Sequence, residues 1–195
     1  MIVFIDRQHA GKPSKINDRG ASRDINGDGQ ITAEELEAIW TARIAINLEI
    51  KLLDMGISVM PISDGTYSKR HERVNQYADM HPGPWVYLAM HLNSGGGNYG
   101  SYFYDYRSTK GQQLATIMAN KLNEDVAAIE RTKAIRSCKD DWTKNAYYTI
   151  RNVGKPVAIC CEPFFMDTHQ SLLSMDGVFK VASSMARAIK VWRDL

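Results

Sequence analysis

Two histidines and a glutamate each stand at the exit of a short apolar run. His9 comes just after Ile2 to Asp6, His91 directly after Trp85 to Met90, and Glu162 directly after Val157 to Cys161. Runs of this length and composition read as buried strands. In a parallel sheet the loops at the strand carboxyl ends form the binding crevice, which is where such side chains could meet. Imidazole nitrogens and carboxylate oxygens are zinc ligands, and two histidines with one carboxylate and an open fourth position make a common catalytic set. A lone histidine is more often an ordinary surface or hydrogen-bonded residue. Two at equivalent strand ends point toward shared metal chemistry.

A second pattern suited to a metal runs from Asp24 to Glu37, DINGDGQITAEELE. Asp24, Asn26 and Asp28 alternate, Gly29 follows, Ile31 comes two later and Glu35 closes the stretch. This is the spacing of an EF-hand calcium loop, in which short oxygen ligands wrap the ion, glycine allows the sharp turn and a terminal glutamate closes bidentately. Gln30 would add its backbone carbonyl, and Thr32 a hydroxyl or a water. The competing account is a polar turn that starts a helix, with Thr32 as its cap and Glu35 as the capping-box partner. Lys12 to Arg23 shows no apolar periodicity, so no incoming helix is expected and the loop reads as structural.

These residues need elements to hold them. Leu36, Ile39, Trp40, Ile44, Leu48, Leu52 and Leu53 recur at helical spacing up to Gly56, which predicts one long helix leaving the calcium-like loop. Strands are expected at Ile57 to Ile62, at Gly100 to Tyr104 and, briefly, over Tyr147 to Val153, besides the three already named. Helices are expected over Ser68 to Asp79 with Val74 and Ala78 inward, over Ser108 to Ile129, around His169 to Ser174, and from Gly177 to Leu195. Glu130 to Asn145 shows no clear pattern and is expected to lie on the substrate side. The alternation predicts an α/β fold, a single domain with a mostly parallel (mixed) central sheet flanked by helices.

Composition limits the function classes. The chain has 195 residues, 44% of them hydrophobic, enough for one good core. A formal net charge of +2 with mixed signs predicts no nucleic-acid partner. There is no membrane span, and MIVFID lacks the basic and long apolar regions of a signal peptide. Cys138, Cys160 and Cys161 lack metal-ligand spacing and read as reduced thiols, the last two in a strand.

The order of these motifs resembles the zinc-dependent N-acetylmuramoyl-L-alanine amidases of the Amidase_3 type, found in bacterial cell-wall hydrolases and phage endolysins. IDRQHAG is similar to that family's Ile-Asp-Pro-Gly-His-Gly-Gly, which sets His9 at the first zinc histidine. DRGA at Asp18 to Ala21 is similar to Asp-Pro-Gly-Ala, and RHERVN at Arg70 to Asn75 to the family's arginine helix. MHLNS at Met90 to Ser94 looks like Ser-Ile-His-Ala-Asn, making His91 the second histidine, and PVAICCEPFF carries Glu162 at the catalytic glutamate. Arg7 and Gln8 stand in place of Pro-Gly, Ala10 replaces a glycine, and the calcium-like loop is an insertion.

Glu34, Glu35, Glu37 and Glu49 compete for the third ligand. Counting back from Gly56, the resemblance implies Glu37. A helix entered at the crevice recedes from it by about 1.5 Å per residue, which puts Glu49 roughly 18 Å beyond Glu37. The implied set is Zn²⁺ on His9, Glu37 and His91, with Glu162 as the catalytic base, and Ca²⁺ on Asp24, Asn26, Asp28, Gln30 and Glu35. Glu35 and Glu37 are expected on one nascent helix, linking the two metals. The resemblance implies one catalytic domain over residues 1–195 with the calcium loop at 24–35, acting on peptidoglycan. It implies a phage endolysin, made in the host cytoplasm without a signal peptide and acting on the cell wall after release, with a monomer favoured. The rival readings are a zinc peptidase or deacetylase on the same scaffold, and a calcium sensor or binding module without catalysis.

Overall fold

The computed structural model describes residues 1–9, 20–22, 24–25 and 27–195, with Glu34 by its backbone alone. Six strands, β1 (Ile2–Arg7), β2 (Ser58–Ile62), β3 (Trp85–Met90), β4 (Tyr99–Asp105), β5 (Arg131–Ser137) and β6 (Val157–Glu162), form one sheet. Five α-helices accompany them among the described residues: α1 (Glu37–Asp54), α2 (Tyr67–Met80), α3 (Thr109–Asp125), α4 (Lys144–Ile150) and α5 (Met175–Arg193). The strand order is β2-β1-β3-β6-β4-β5, parallel throughout except where β4 meets β6. The expected α/β architecture with a mixed, mostly parallel sheet is what the chain adopts.

Strand side chains alternate between two apolar layers. Val3, Ile5, Leu88, Ile159 and Cys161 pack with α1, α3 and α5. Phe4, Tyr87, Ala89, Ala158 and Cys160 pack with α2 and α4. Covering both faces requires nearly continuous apolar strands, which is why β1, β3 and β6 stand out in the sequence. On α1, Trp40, Ile44, Leu48 and Leu52 form a stripe of at most 3% exposure, the four-residue spacing of a core-facing helix. No helix among the described residues is long and apolar enough to cross a membrane.

Three segments differ from expectation. Tyr147–Val153 is not a strand: its first residues complete α4, because Ala146 and Ile150, one turn apart, bury against Phe103 and Cys160. The aromatic and β-branched composition favours a strand locally, and packing overrides it. Within Glu130 to Asn145 lies β5, an edge strand carrying Arg131, Lys133 and Arg136 at exposed positions. Edge strands bear such charges to discourage further pairing, and the same charges hide them from a hydrophobic pattern. Finally, a 3-10 turn over Ala33–Glu35 ends at Leu36, whose backbone is extended (φ −103°) and bridges Ser22. Glu35 and Glu37 are therefore not on one continuous helix; α1 starts afresh at Glu37.

Leu48 has no exposure and sits mid-stripe on α1. Leu48→Ala is expected to lose about 2–5 kcal/mol of unfolding free energy in a denaturant titration, and a loss below 1 kcal/mol would mean that the α1–α5 layer is not the principal core.

Candidate metal centre and its crevice

β1, β3 and β6 are parallel neighbours, so their carboxyl ends lie side by side. That brings His9, His91 and Glu162 to one edge of the sheet, and α1 begins at the same edge with Glu37. His9 Nε2 lies 2.9 Å from Glu37 Oε1 and 3.0 Å from His91 Nδ1, which is itself 3.1 Å from Glu37 Oε1. Among the described residues this is the one cluster of three or more His, Cys, Asp or Glu side chains whose ligating atoms converge this closely. Three electron-rich atoms at such distances need a proton or a cation between them. Ligands about 2.0–2.1 Å from a tetrahedral ion sit roughly 3.3 Å apart, so only a slight spreading would admit one.

The carboxylate is aimed from behind. Glu37 is 4% exposed, its Oε1 accepts from Leu92 N (2.9 Å) and its Oε2 from Ala21 N (2.6 Å), while its own N–H donates to Ala21 O (2.9 Å). Gly20 stands directly against this group. Its φ is +69°, and a Cβ there would come within 2.8 Å of both Glu37 Cδ and His9 Cδ2. Only glycine takes that conformation freely and leaves room for the approach. Glu49, the distant competitor for the ligand role, instead accepts from Arg7 Nη2 at 2.8 Å.

The turn bearing His9 is tied to the sheet by a buried polar group. Arg70 and Asp6 have no exposed surface, and Arg70 Nη1 donates to Asp6 Oδ1 (2.6 Å), Arg7 O (3.1 Å) and Gln8 O (3.2 Å). The same guanidinium reaches Gly65 O and Ser63 O through Nε and Nη2. Asp6 Oδ2 accepts from Tyr87 Oη (2.5 Å) and from Gln8 Nε2. Burial pushes the Tyr87 hydroxyl well above its ordinary value, which keeps it a donor. The RHERVN motif flags Arg70 and the IDRQHAG motif includes Asp6; Gln8 departs from that motif, and Tyr87 carries no sequence signal beyond its place on a strand.

The two acidic groups of the crevice are driven apart. Burial raises the Glu37 carboxyl, but hydrogen bonds from His9 and His91 and their charges outweigh it and hold the group far below the usual carboxylate range. Glu162 moves the other way: burial raises it, His91 pulls it down in part, and the Glu37 charge raises it again. A permanently ionised carboxylate suits a ligand, and a raised one suits proton transfer. A cavity of about 360 Å³ opens beside them, lined by Glu37, His91 and Glu162 on one side and by Tyr67, Asn145 and Tyr148 on the other. The segment expected on the substrate side contributes its last residue, Asn145, while α4 also supplies Tyr148 and α2 supplies Tyr67.

The calcium-like loop is compact. Asp24 accepts from Gly27 N (2.7 Å), Asp28 N (3.1 Å) and Gly29 N (2.7 Å), and Asp28 Oδ1 from Gln30 N (2.8 Å). Glu35 closes it, Oε1 accepting from Ile25 N (2.6 Å) and Oε2 from Thr32 N (2.7 Å). The capping-box account of Glu35 is thus realised. Asn26 lies outside the described residues, as do Asp18 and the segment 12–19. The ligating atoms of Asp24, Asp28 and Glu35 do not converge as the His9 cluster does.

Fold and site together define an α/β protein with a His-Glu-His cluster, of a kind that could hold a metal ion, at the strand carboxyl ends. Solved structures with the same architecture include the N-acetylmuramoyl-L-alanine amidase AmiC2 of Nostoc punctiforme, 20% identical with a TM-score of 0.74, covering 100% of this chain and 98% of that one. An N-acetylmuramoyl-L-alanine amidase from Clostridium difficile 630 is 21% identical with a TM-score of 0.73, over 99% of this chain and 96% of that one. The catalytic domain of the CD27L endolysin targeting Clostridia difficile is 21% identical with a TM-score of 0.62, over 96% and 97%. No family model and no curated protein matches the sequence. At these identities the likeness establishes the fold.

Gly20→Ala should push Glu37 and His9 out of register. Zinc affinity, measured by competition with a chromogenic chelator, is expected to fall roughly 10–100-fold, the range seen when a group orienting a metal ligand is disturbed. Unchanged affinity would show that the Gly20 contact does not shape the cluster.

Proposed function

We propose that this chain is a zinc-dependent N-acetylmuramoyl-L-alanine amidase, an endolysin that cleaves the amide between N-acetylmuramic acid and L-alanine in peptidoglycan. The observation that carries the reading is the convergence of His9, Glu37 and His91, the last two lining one cavity with Glu162, on a fold similar to that of three such hydrolases. Two imidazoles and a carboxylate are a zinc donor set, and the cluster is compact enough to hold one ion. Zinc bound there would supply Lewis-acid polarisation of a carbonyl and acidify water.

The chain's own residues do the rest. Glu162 takes the proton that water sheds as its oxygen adds to the amide carbon, then gives it to the departing nitrogen as the C–N bond breaks. Its raised pKa keeps it basic enough to take the proton and acidic enough to return it. Tyr67, Asn145 and Tyr148 offer hydroxyl and amide groups to a substrate built of amides and sugars. The setting that fits is synthesis in a host cytoplasm followed by action on the wall. The single catalytic unit would span residues 1–195.

Glu162→Gln is expected to fold, to bind zinc normally and to lose roughly 10²–10⁴-fold in turnover of purified peptidoglycan. In the native protein the acid limb of the rate profile should lie above the ordinary glutamate value of 4.5. The sign follows from the role: only ionised Glu162 accepts a proton, so rate rises with pH through its raised pKa, and the limb vanishes in Glu162→Gln. Mass analysis of digested muropeptides should reveal free stem peptides beginning with L-alanine. Products cut within the stem peptide, or deacetylated sugars, would sink the amidase assignment.

A calcium ion in the loop at residues 24–35 belongs to the same reading, supported by the ligand spacing and by Gly29 at the turn. Ala21 then links the loop to the catalytic centre, since it exchanges two hydrogen bonds with Glu37. Calcium at about a hundred times its dissociation constant should stabilise the protein by about 2.7 kcal/mol, and Asp24→Ala should abolish the shift in melting temperature. A melting temperature indifferent to calcium would leave the loop as a capped turn.

A further inference from the structure

The chain path from β3 to β4 singles out one further residue. β4 pairs with β6 and not with β3, so the connection from His91 to Tyr99 must pass over the end of β6, where Glu162 sits. The passage is pinned on both sides. Asn93 N donates to Phe164 O (3.0 Å) and Met166 N donates to Asn93 O (2.9 Å), a parallel bridge one strand beyond the sheet proper. Asp167 Oδ2 accepts from Gly95 N (2.8 Å) and Gly96 N (3.0 Å). Gly95 and Gly96 take φ of +125° and +80°, and at Gly97 the reason is steric, since a Cβ there would come within 2.7 Å of Phe165 Cε1.

At the start of this passage Asn93 Nδ2 donates to Glu162 Oε2 at 2.8 Å. Its amide cannot turn round without cost, because Asn93 Oδ1 already accepts from Ser94 N at 2.8 Å. The NH₂ is thereby committed to Glu162. The donor is neutral, so it orients the carboxylate without the charge of a lysine or arginine, which would drive the pKa of Glu162 down and weaken it as a base.

We infer that Asn93 is the positioning residue of Glu162: its amide engages Oε2 and assigns proton transfer to Oε1. This rests on the hydrolase reading for the role of Glu162, but the geometry can be tested apart from it. Asn93→Ala should reduce kcat on peptidoglycan by roughly 10²-fold, the scale of a small misplacement of a catalytic group, with KM within about twofold of the native value and zinc content unchanged. Asn93→Asp keeps the shape but cannot donate, and it sets a second carboxylate against Glu162. Its kcat should fall below that of Asn93→Ala, whereas a role in packing alone would make the isostere the milder change.

Crystal structures of the zinc-loaded native and Asn93→Ala proteins supply a readout independent of turnover. Glu162 should keep its place in the first and leave it in the second. An Asn93→Ala protein in which Glu162 has not moved overturns the proposal whatever the substrate proves to be. So does native kcat in that variant, a change confined to KM, or loss of zinc, which would mean that Asn93 acts through His91. A native protein that binds zinc but leaves peptidoglycan intact refutes the amidase reading instead, and the crystal structures then decide the positioning role alone.

Discussion

Arg70 and Asp6 form a salt bridge with no exposure on either side, 2.6 Å from nitrogen to oxygen. Desolvating two charges is costly, and the pair persists because almost every proton of the guanidinium has an oxygen to meet. Those oxygens are not arbitrary. Arg7 O and Gln8 O belong to the turn that leaves β1 toward His9, while Ser63 O and Gly65 O belong to the turn between β2 and α2. One side chain thus fixes two loops at the carboxyl edge of the sheet relative to each other. Taking away either partner of such a pair leaves an uncompensated buried charge, roughly 3–5 kcal/mol. The first histidine is therefore located by electrostatics behind it and not by its own contacts alone.

The same economy appears at Glu37. It opens α1, so its backbone N–H has no partner within the helix and bonds to Ala21 O. Its carboxylate reaches forward to both histidines and back to Ala21 N and Leu92 N. The break at Leu36 makes this possible. Had the 3-10 turn run straight into α1, residues two apart would diverge by about 200° around the axis, and Ala21 would have no strand-like partner beside it. Glu35 closes one loop and Glu37 faces another site because an extended residue separates them. Among the described residues, the Ser22–Leu36 bridge and the Ala21–Glu37 pair connect the loop to the cluster.

How much of this was legible in the sequence follows from what each residue does. That His9, His91 and Glu162 would share one sheet edge was legible because strand ends are marked by the apolar runs preceding them, and Glu37 joined them through the motif order and the end of its helix at Gly56. β1, β3 and β6 were plain because both of their faces are buried. β5 was not, since an edge strand alternating Arg, Thr and Lys carries little apolar signal. α4 was mistaken because its seven residues give too few turns to establish a period, and Tyr, Thr and Ile favour strands. Tyr87 looks like an ordinary member of its strand, and Asp6, though part of the IDRQHAG motif, gives no sign of its partners. Their hydrogen bonds join residues about eighty positions apart, which no local pattern encodes.

Strand alternation also explains why the cavity opens where it does. On β3, Tyr87 and Ala89 face the α2 and α4 layer, and His91 continues that series; on β6, Ala158 and Cys160 face it, and Glu162 continues that one. His91 and Glu162 are thereby turned to the layer of two helices, where Tyr67 and Asn145 complete the wall. Glu37 arrives from the opposite layer, over the sheet edge, at the start of α1. The cluster is straddled by both layers, and the three-helix side supplies rigidity through its larger core. The two-helix side leaves room. The open volume there is bounded by Glu37, His91 and Glu162 and by Tyr67 of α2 with Asn145 and Tyr148 of α4, two helices held together behind it where His71 Nε2 lies 2.9 Å from Thr149 O.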